Sequence, residues 1–304
     1  MKNLIFCAYA KLENMSTSQN IHWDNDKDIY LKNLSVALVS AKINNPAAAV
    51  ALITNTDIPS RYSMLLTRHE ILILKKEFDS FNYGSNIRWG LAFYKLCAMK
   101  FALTLDYDNY LSLDTDTYCQ SSLDDLWVET KYNIMLYDTN HRLTIENCRK
   151  FNKEVYDFLG KEEPITKYGG EFIAGNKELL TKFNQRCEEI FELTVQKQFY
   201  TTCGDEFITD IVANEMKTVI KNAGGYIFRF WTGPFYLVTT SYKYNEISIL
   251  HVPDEKNRGM IKLYKYLEKN NKLCSKNKVH RILNIKSPNL RTKLSGIYGK
   301  FKHK

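Results

Sequence analysis

The sequence contains no apolar run of about 20 residues, so no transmembrane helix is expected. It has no internal repeat and no linker rich in proline, glycine or serine, which argues for one compact two-lobed unit. Cysteine is also uninformative as a framework. The seven cysteines are Cys7, Cys97, Cys119, Cys148, Cys187, Cys203 and Cys274, widely spread and without a C-x-x-C pair. An odd, scattered set argues against disulfide staples and a zinc site, and for a reducing compartment. The first ten residues superficially suggest a signal peptide. Their apolar stretch is short and runs into Lys11 and Glu13, so it reads as a first buried strand.

What is present is a globular composition with an uneven charge. Residues 256–304 hold 15 Lys and Arg against one acid, Glu268, a net of +14. The rest of the chain, 1–255, carries 27 basic and 33 acidic residues, a net of −6. The expectation is a catalytic body over 1–255, split into halves at 117/118, with a basic C-terminal tail over 256–304. Such a tail suits a polyanionic surface. Within it, Ile261, Tyr264 and Leu267 are spaced among lysines as in an interfacial helix.

Strand-like and helix-like runs alternate through the first half. Leu4–Ala10, Ala48–Thr54, Glu70–Leu74 and Asn109–Leu113 read as strands; Asp28–Asn44, Ser60–Arg68 and Asn86–Phe101 read as helices. This pattern implies an α/β fold with an open, mostly parallel sheet. Ligands in such sheets bind beyond the carboxyl ends of the strands.

Asp114-Thr115-Asp116 lies at such an end, directly after Tyr110-Leu111-Ser112-Leu113. Two carboxylates that close together repel unless a cation joins them. A hard cation there could hold a diphosphate. His251 follows another strand-like run, Ile247–Leu250, and could complete the cation site. Mixed carboxylate and imidazole ligation suits Mn²⁺ better than an all-oxygen Ca²⁺ site. Lys256 and Arg258 would then lie within reach of phosphate oxygens. Asp205 and Glu206 open a helix, where acids either complement the helix dipole or serve catalysis, by contact with a sugar hydroxyl or as a base.

These residues carry a resemblance. Phe93-Tyr94-Lys95-Leu96, the run Tyr107 to Thr117 and Asp124-Asp125-Leu126-Trp127 resemble the glycogenin-like glycosyltransferases of family 8, over roughly residues 90–130. Beyond that, Phe172-Ile173-Ala174-Gly175 is similar to the family's Asn-Ser-Gly strand, with Ile173 in place of Asn. Gly204-Asp205-Glu206 is similar to its Gly-Asp-Gln, with Glu for Gln. His251 to Lys256 is similar to its His…Gly…Lys loop, one residue shorter and without the Gly.

The resemblance implies a GT-A fold and the transfer of a hexose or related sugar from a UDP-sugar, with retention of anomeric configuration. It implies that Asp114, Asp116 and His251 bind Mn²⁺, with Mg²⁺ as the alternative ion. Lys95, Thr115 and Lys256 would contact the nucleotide-sugar donor. Asp205 and Glu206 would face the sugar or the acceptor, a hydroxyl of a glycan, lipid-linked or protein substrate. The expected setting is cytoplasmic, with a peripheral membrane contact through the basic tail; nucleic acid is not expected as a partner.

Two other readings fit part of the sequence. Leu111 to Thr117 also matches the nucleophile motif of haloacid-dehalogenase-like phosphatases. Asp114 would then attack phosphorus, Asp116 would be the general acid, and Asp205 and Asp210 would hold Mg²⁺. That nucleophile usually follows the first strand, whereas here several elements precede it. The second alternative is a basic-tailed lipid- or nucleic-acid-binding module without catalysis.

Overall fold

The computed structural model describes residues 1–12, 28–84, 89–140, 145–160, 165–232 and 247–285. In chain order the elements are β1 (Asn3–Tyr9), α1 (Ile29–Asn44), β2 (Ala49–Thr54), α2 (Ser60–Arg68), β3 (Leu72–Lys75), α3 (Tyr94–Ala102), β4 (Asn109–Leu113), β5 (Thr117–Cys119), α4 (Asp124–Glu129) and β6 (Ile134–Asp138). There follow α5 (Ile145–Leu159), β7 (Tyr168–Asn176), α6 (Lys177–Gln196), α7 (Asp205–Glu215), β8 (Ile220–Asn222), β9 (Ile227–Arg229), β10 (Ile249–His251), α8 (Gly259–Asn270) and α9 (Lys276–Ile282).

The main sheet has seven strands in the order β3-β2-β1-β4-β7-β6-β8. The strands β3, β2, β1 and β4 are parallel, while β7 runs antiparallel to both β4 and β6. A smaller sheet, β5-β10-β9, lies beside it. The central strands are apolar almost throughout because both faces are covered. Alternation assigns their side chains: Ile5, Cys7, Val50, Leu52, Leu111 and Leu113 join a core with α1, α2 and the small sheet. Leu4, Phe6, Ala51, Ile53 and Tyr110 join a second core with α3, α6 and α7.

The expected boundaries shift in two places for backbone reasons. Glu70 adopts a left-handed conformation (φ 56°) that closes α2, so β3 begins at Leu72 rather than at Glu70. Trp89 is also left-handed (φ 66°), and only a 3₁₀ turn, Gly90–Phe93, precedes α3. The helix read over Asn86–Phe101 therefore starts later; residues 85–88 lie outside the described residues.

The region from residue 256 is not an appendage as far as Ile285. Helix α8 buries Met260, Leu263, Tyr264 and Leu267 in the first core. The Tyr264 ring lies 5.7 Å from that of Tyr62 on α2. The interfacial-helix reading is thereby corrected: Tyr264 and Leu267 are core residues, and Ile261 is half-buried. What α8, α9 and the turn between them leave exposed is largely charge, with Lys262, Lys265, Lys269, Lys272, Lys276, Lys278 and Arg281 on the outside. Residues 286–304 lie outside the described residues. No helix among the described residues is long and apolar enough to cross a membrane.

Candidate active site

The acid pair sits in the turn between β4 and β5. The Thr117 hydroxyl donates to the Asp114 carbonyl at 2.8 Å and tightens that turn. The antiparallel strand β7 fixes its other side, because the Asp114 N–H donates to the Glu171 carbonyl at 3.1 Å. In the small sheet, His251 on β10 pairs with Thr117 on β5, and the Val252 N–H donates to the Asp116 carbonyl at 3.1 Å. This pairing carries His251 across 135 positions of sequence to Asp116.

Among the described residues, Asp114, Asp116 and His251 offer one ligand atom each, all within 4.8 Å of one another. Two carboxylates and an imidazole form a mixed oxygen–nitrogen donor set that could hold a divalent cation. The charge around them shows what the site requires. Lys256 Nζ lies 3.2 Å from Asp116 Oδ2, and Lys95 Nζ lies 2.9 Å from Asp114 Oδ1. His251 Nε2 lies 3.1 Å from the same Asp116 oxygen. Cationic groups thus converge on carboxylates aimed at one point, and the residues fit a divalent cation.

The electrostatics follow from this crowding. Burial alone would raise the Asp116 carboxyl, but Lys256 and His251 outweigh it and hold it well below the usual carboxylate range. Burial would lower the His251 imidazole; Asp116 and Glu171 overcome that and raise it to about 9. Lys95 lies between three acceptors: Asp114, the Gly170 carbonyl at 2.8 Å and Asp205 Oδ2 at 3.2 Å. Burial opposes its charge, but Asp114 and Asp205 raise the ammonium above its ordinary value.

Asp205 and Glu206 begin α7. Its cap is Gly204, whose backbone (φ 67°, ψ −148°) is essentially restricted to glycine. Burial raises the Asp205 carboxyl to about 6, against the lowering effect of Lys95. Glu206 is held by Lys167 at 2.8 Å and by the Gly170 N–H at 3.2 Å, and it lies 3.7 Å from Arg229. Burial opposes its ionisation, but Lys167 and Arg229 keep it below its ordinary value.

The eight residues to which the resemblance gives a role (Lys95, Asp114, Thr115, Asp116, Asp205, Glu206, His251 and Lys256) line one cavity of about 510 Å³. That lies within the usual range of small-molecule pockets, about 300–1,000 Å³. Arg258 is exposed and does not line it. Three charged residues escaped the sequence reading: Lys167, Glu171 and Arg229. Glu171 and Arg229 had a local signal, a charge inside an otherwise apolar or glycine-flanked strand; Lys167, just before β7, had none.

The phosphatase arrangement is not assembled. Asp210 is fully buried, accepts from the Tyr168 N–H at 2.7 Å and lies 3.5 Å from Lys167. Lys95 stands between Asp205 and Asp114. Asp205 and Asp210 therefore do not join the acid pair around one ion.

No protein-family model matches the sequence, and no curated protein does either. The structure is similar to two solved structures of LgtC. One is an active-site mutant, at a TM-score of 0.54; the other is the galactosyltransferase in complex with donor and acceptor sugar analogs, at 0.53. Both are 15% identical to this chain, with 82% of this chain and 86% of that one covered. The chain has the GT-A fold.

Proposed function

We propose that this chain is a glycosyltransferase that moves a hexose or related sugar from a UDP-sugar to a hydroxyl acceptor, with Mn²⁺ and with retention of configuration. The observation that carries the reading is the convergence of Asp114, Asp116 and His251 on one point of the cavity in a GT-A fold. A divalent cation held there would act as a Lewis acid for charge developing on the leaving diphosphate. Lys95 and Lys256 add fixed positive charge beside the same place. Lys256 is held by the Asp116 oxygen that would also serve the cation, so it can turn to phosphate oxygens once the cation is bound, whereas Lys95 stays fixed by Gly170 and Asp205. Thr115 lines the cavity between the two acids. Asp205 and Glu206 supply acceptors for sugar hydroxyls, and their negative charge favours an oxocarbenium-like centre.

Thermal-shift screening of nucleotide sugars, with and without Mn²⁺, tests this reading. At a ligand concentration of 100 Kd the expected stabilisation is about 2.7 kcal/mol. It should require both a uridine nucleotide and the metal. Absence of a shift with every nucleotide sugar would sink the proposal.

The exposed cations of α8 and α9 support a peripheral contact with anionic lipid, which would bring the cavity near a lipid-linked acceptor. Truncation at residue 256 would remove core residues and is the wrong test. A chain ending at residue 285, with Lys262, Lys265 and Lys269 changed to Gln, should lose flotation with phosphatidylserine vesicles. Undiminished flotation at low salt would contradict the contact.

A further inference from the structure

His251 is held from both sides. Its Nε2 faces Asp116 Oδ2 at 3.1 Å, and its Nδ1 faces Glu171 Oε1 at 3.0 Å. Glu171 is 1% exposed and comes from β7, not from the β4–β5 turn or β10, which carry the three candidate ligands. It is not a member of the cation group itself.

The Glu171 carboxylate is in turn fixed by Arg229 on β9. Arg229 Nε donates to Oε1 at 2.8 Å, and Nη2 donates to Oε2. Room for this fork depends on Gly169. A Cβ there would lie 1.9 Å from Glu171 Oε2 and 2.7 Å from Arg229 Nη2. The strand thus gives up a side chain two residues before the acid so that the pair can form. A forked Arg–carboxylate contact sets both position and plane of the carboxylate.

Metal-bound histidines commonly donate their second ring N–H to a carboxylate, which fixes the ring orientation and tautomer. We propose that Glu171, clamped by Arg229, is the positioning residue that keeps His251 with Nε2 turned to the cation. This rests on the reading of Asp114, Asp116 and His251 as a cation site. It adds a supporting layer that no motif in the sequence contains. It also joins the two halves of the cavity, because Arg229 lies 3.7 Å from Glu206 at the sugar-facing end.

The test is Mn²⁺ affinity, read from the free-ion electron paramagnetic resonance signal, with pulsed detection of an imidazole nitrogen on the bound ion. Glu171→Gln made together with Arg229→Met keeps an oxygen that can accept from Nδ1 without setting the amide NH₂ against the guanidinium, and should bind within a few-fold of the native protein, with the nitrogen signal intact. The double change Glu171→Leu with Arg229→Met removes the acceptor without stranding a buried charge. It should weaken Mn²⁺ binding about 10–100-fold and lose the nitrogen signal. Should that double variant not fold, Arg229→Met alone frees the carboxylate to move and should show a smaller loss in the same direction. Native-like affinity and nitrogen signal in the folded variants would overturn the inference while leaving the cation site standing. Absence of Mn²⁺ binding by the native protein would overturn both.

Discussion

Asp116→Asn is expected to lower metal-dependent donor turnover by about 10³-fold or more, while the protein remains folded. Asp116 is 1% exposed, and its Oδ2 meets both His251 and Lys256. The amide has the same shape but no charge, and its NH₂ group cannot accept from either neighbour. Losing a Lewis-acid site forfeits several kcal/mol of transition-state stabilisation, and about 4 kcal/mol corresponds to about 10³ in rate. Folding should survive because His251 keeps its contact with Glu171 and the remaining amide oxygen can still accept from Lys256. Circular dichroism, a Mn²⁺ isotherm and UDP-sugar hydrolysis check the three parts separately. Native turnover by the folded variant would exclude the proposed role.

Lys95→Met is expected to have the largest effect on stability. Lys95 separates Asp114 from Asp205, and without it the buried Asp205 carboxylate loses its cation and faces a second acid. Removing one partner of a buried ionic cluster costs about 3–5 kcal/mol. At roughly 2–4 °C per kcal/mol, the melting temperature should fall by about 10 °C. The loss should depend on pH. Even in the native protein Asp205 is raised to about 6. A carboxyl raised in the folded state opposes folding when ionised, so stability is highest below its unfolded pKa and is lost as pH rises through the folded value. Without Lys95 the carboxyl rises further and takes up a proton more readily. The melting temperature of the variant should therefore lie closest to native near pH 5 and furthest from it near pH 8. A pH-independent difference would show that Asp205 does not bear the strain.

Much of the fold was legible because strands buried on both faces leave unbroken apolar runs. The runs at β1, β2 and β4 could be placed within a residue or two. The acid pair was legible for the same reason, since a charge ending such a run marks the carboxyl end of a strand. His251 was legible as the end of another run. Its partner was not, because pairing of β10 with β5 is set by contacts between distant strands rather than by local composition.

Glu171, Arg229 and Lys167 were missed on the same physical grounds. Glu171 meets His251 across 80 residues and Arg229 across 58. Neither spacing corresponds to a helix or strand period. The departures from the family pattern also make sense only in three dimensions. Ile173, where the family has Asn, is buried in the second core. Glu206, where the family has Gln, is matched by Lys167 and Arg229, so its extra charge is compensated locally. Tyr264 and Leu267 read as interfacial because lysines between apolar positions look the same on a core helix as on an interfacial one. Only the packing of α8 against the rest of the core decides between them.

The most direct measurement is hydrolysis of a panel of UDP-hexoses by the native protein in Mn²⁺, then in excess chelator, then with Mn²⁺ restored. The account predicts release of UDP that stops with chelation, returns with the metal and is absent for Asp116→Asn. Release of phosphate from phosphomonoesters in Mg²⁺, with no nucleotide sugar consumed, would contradict it.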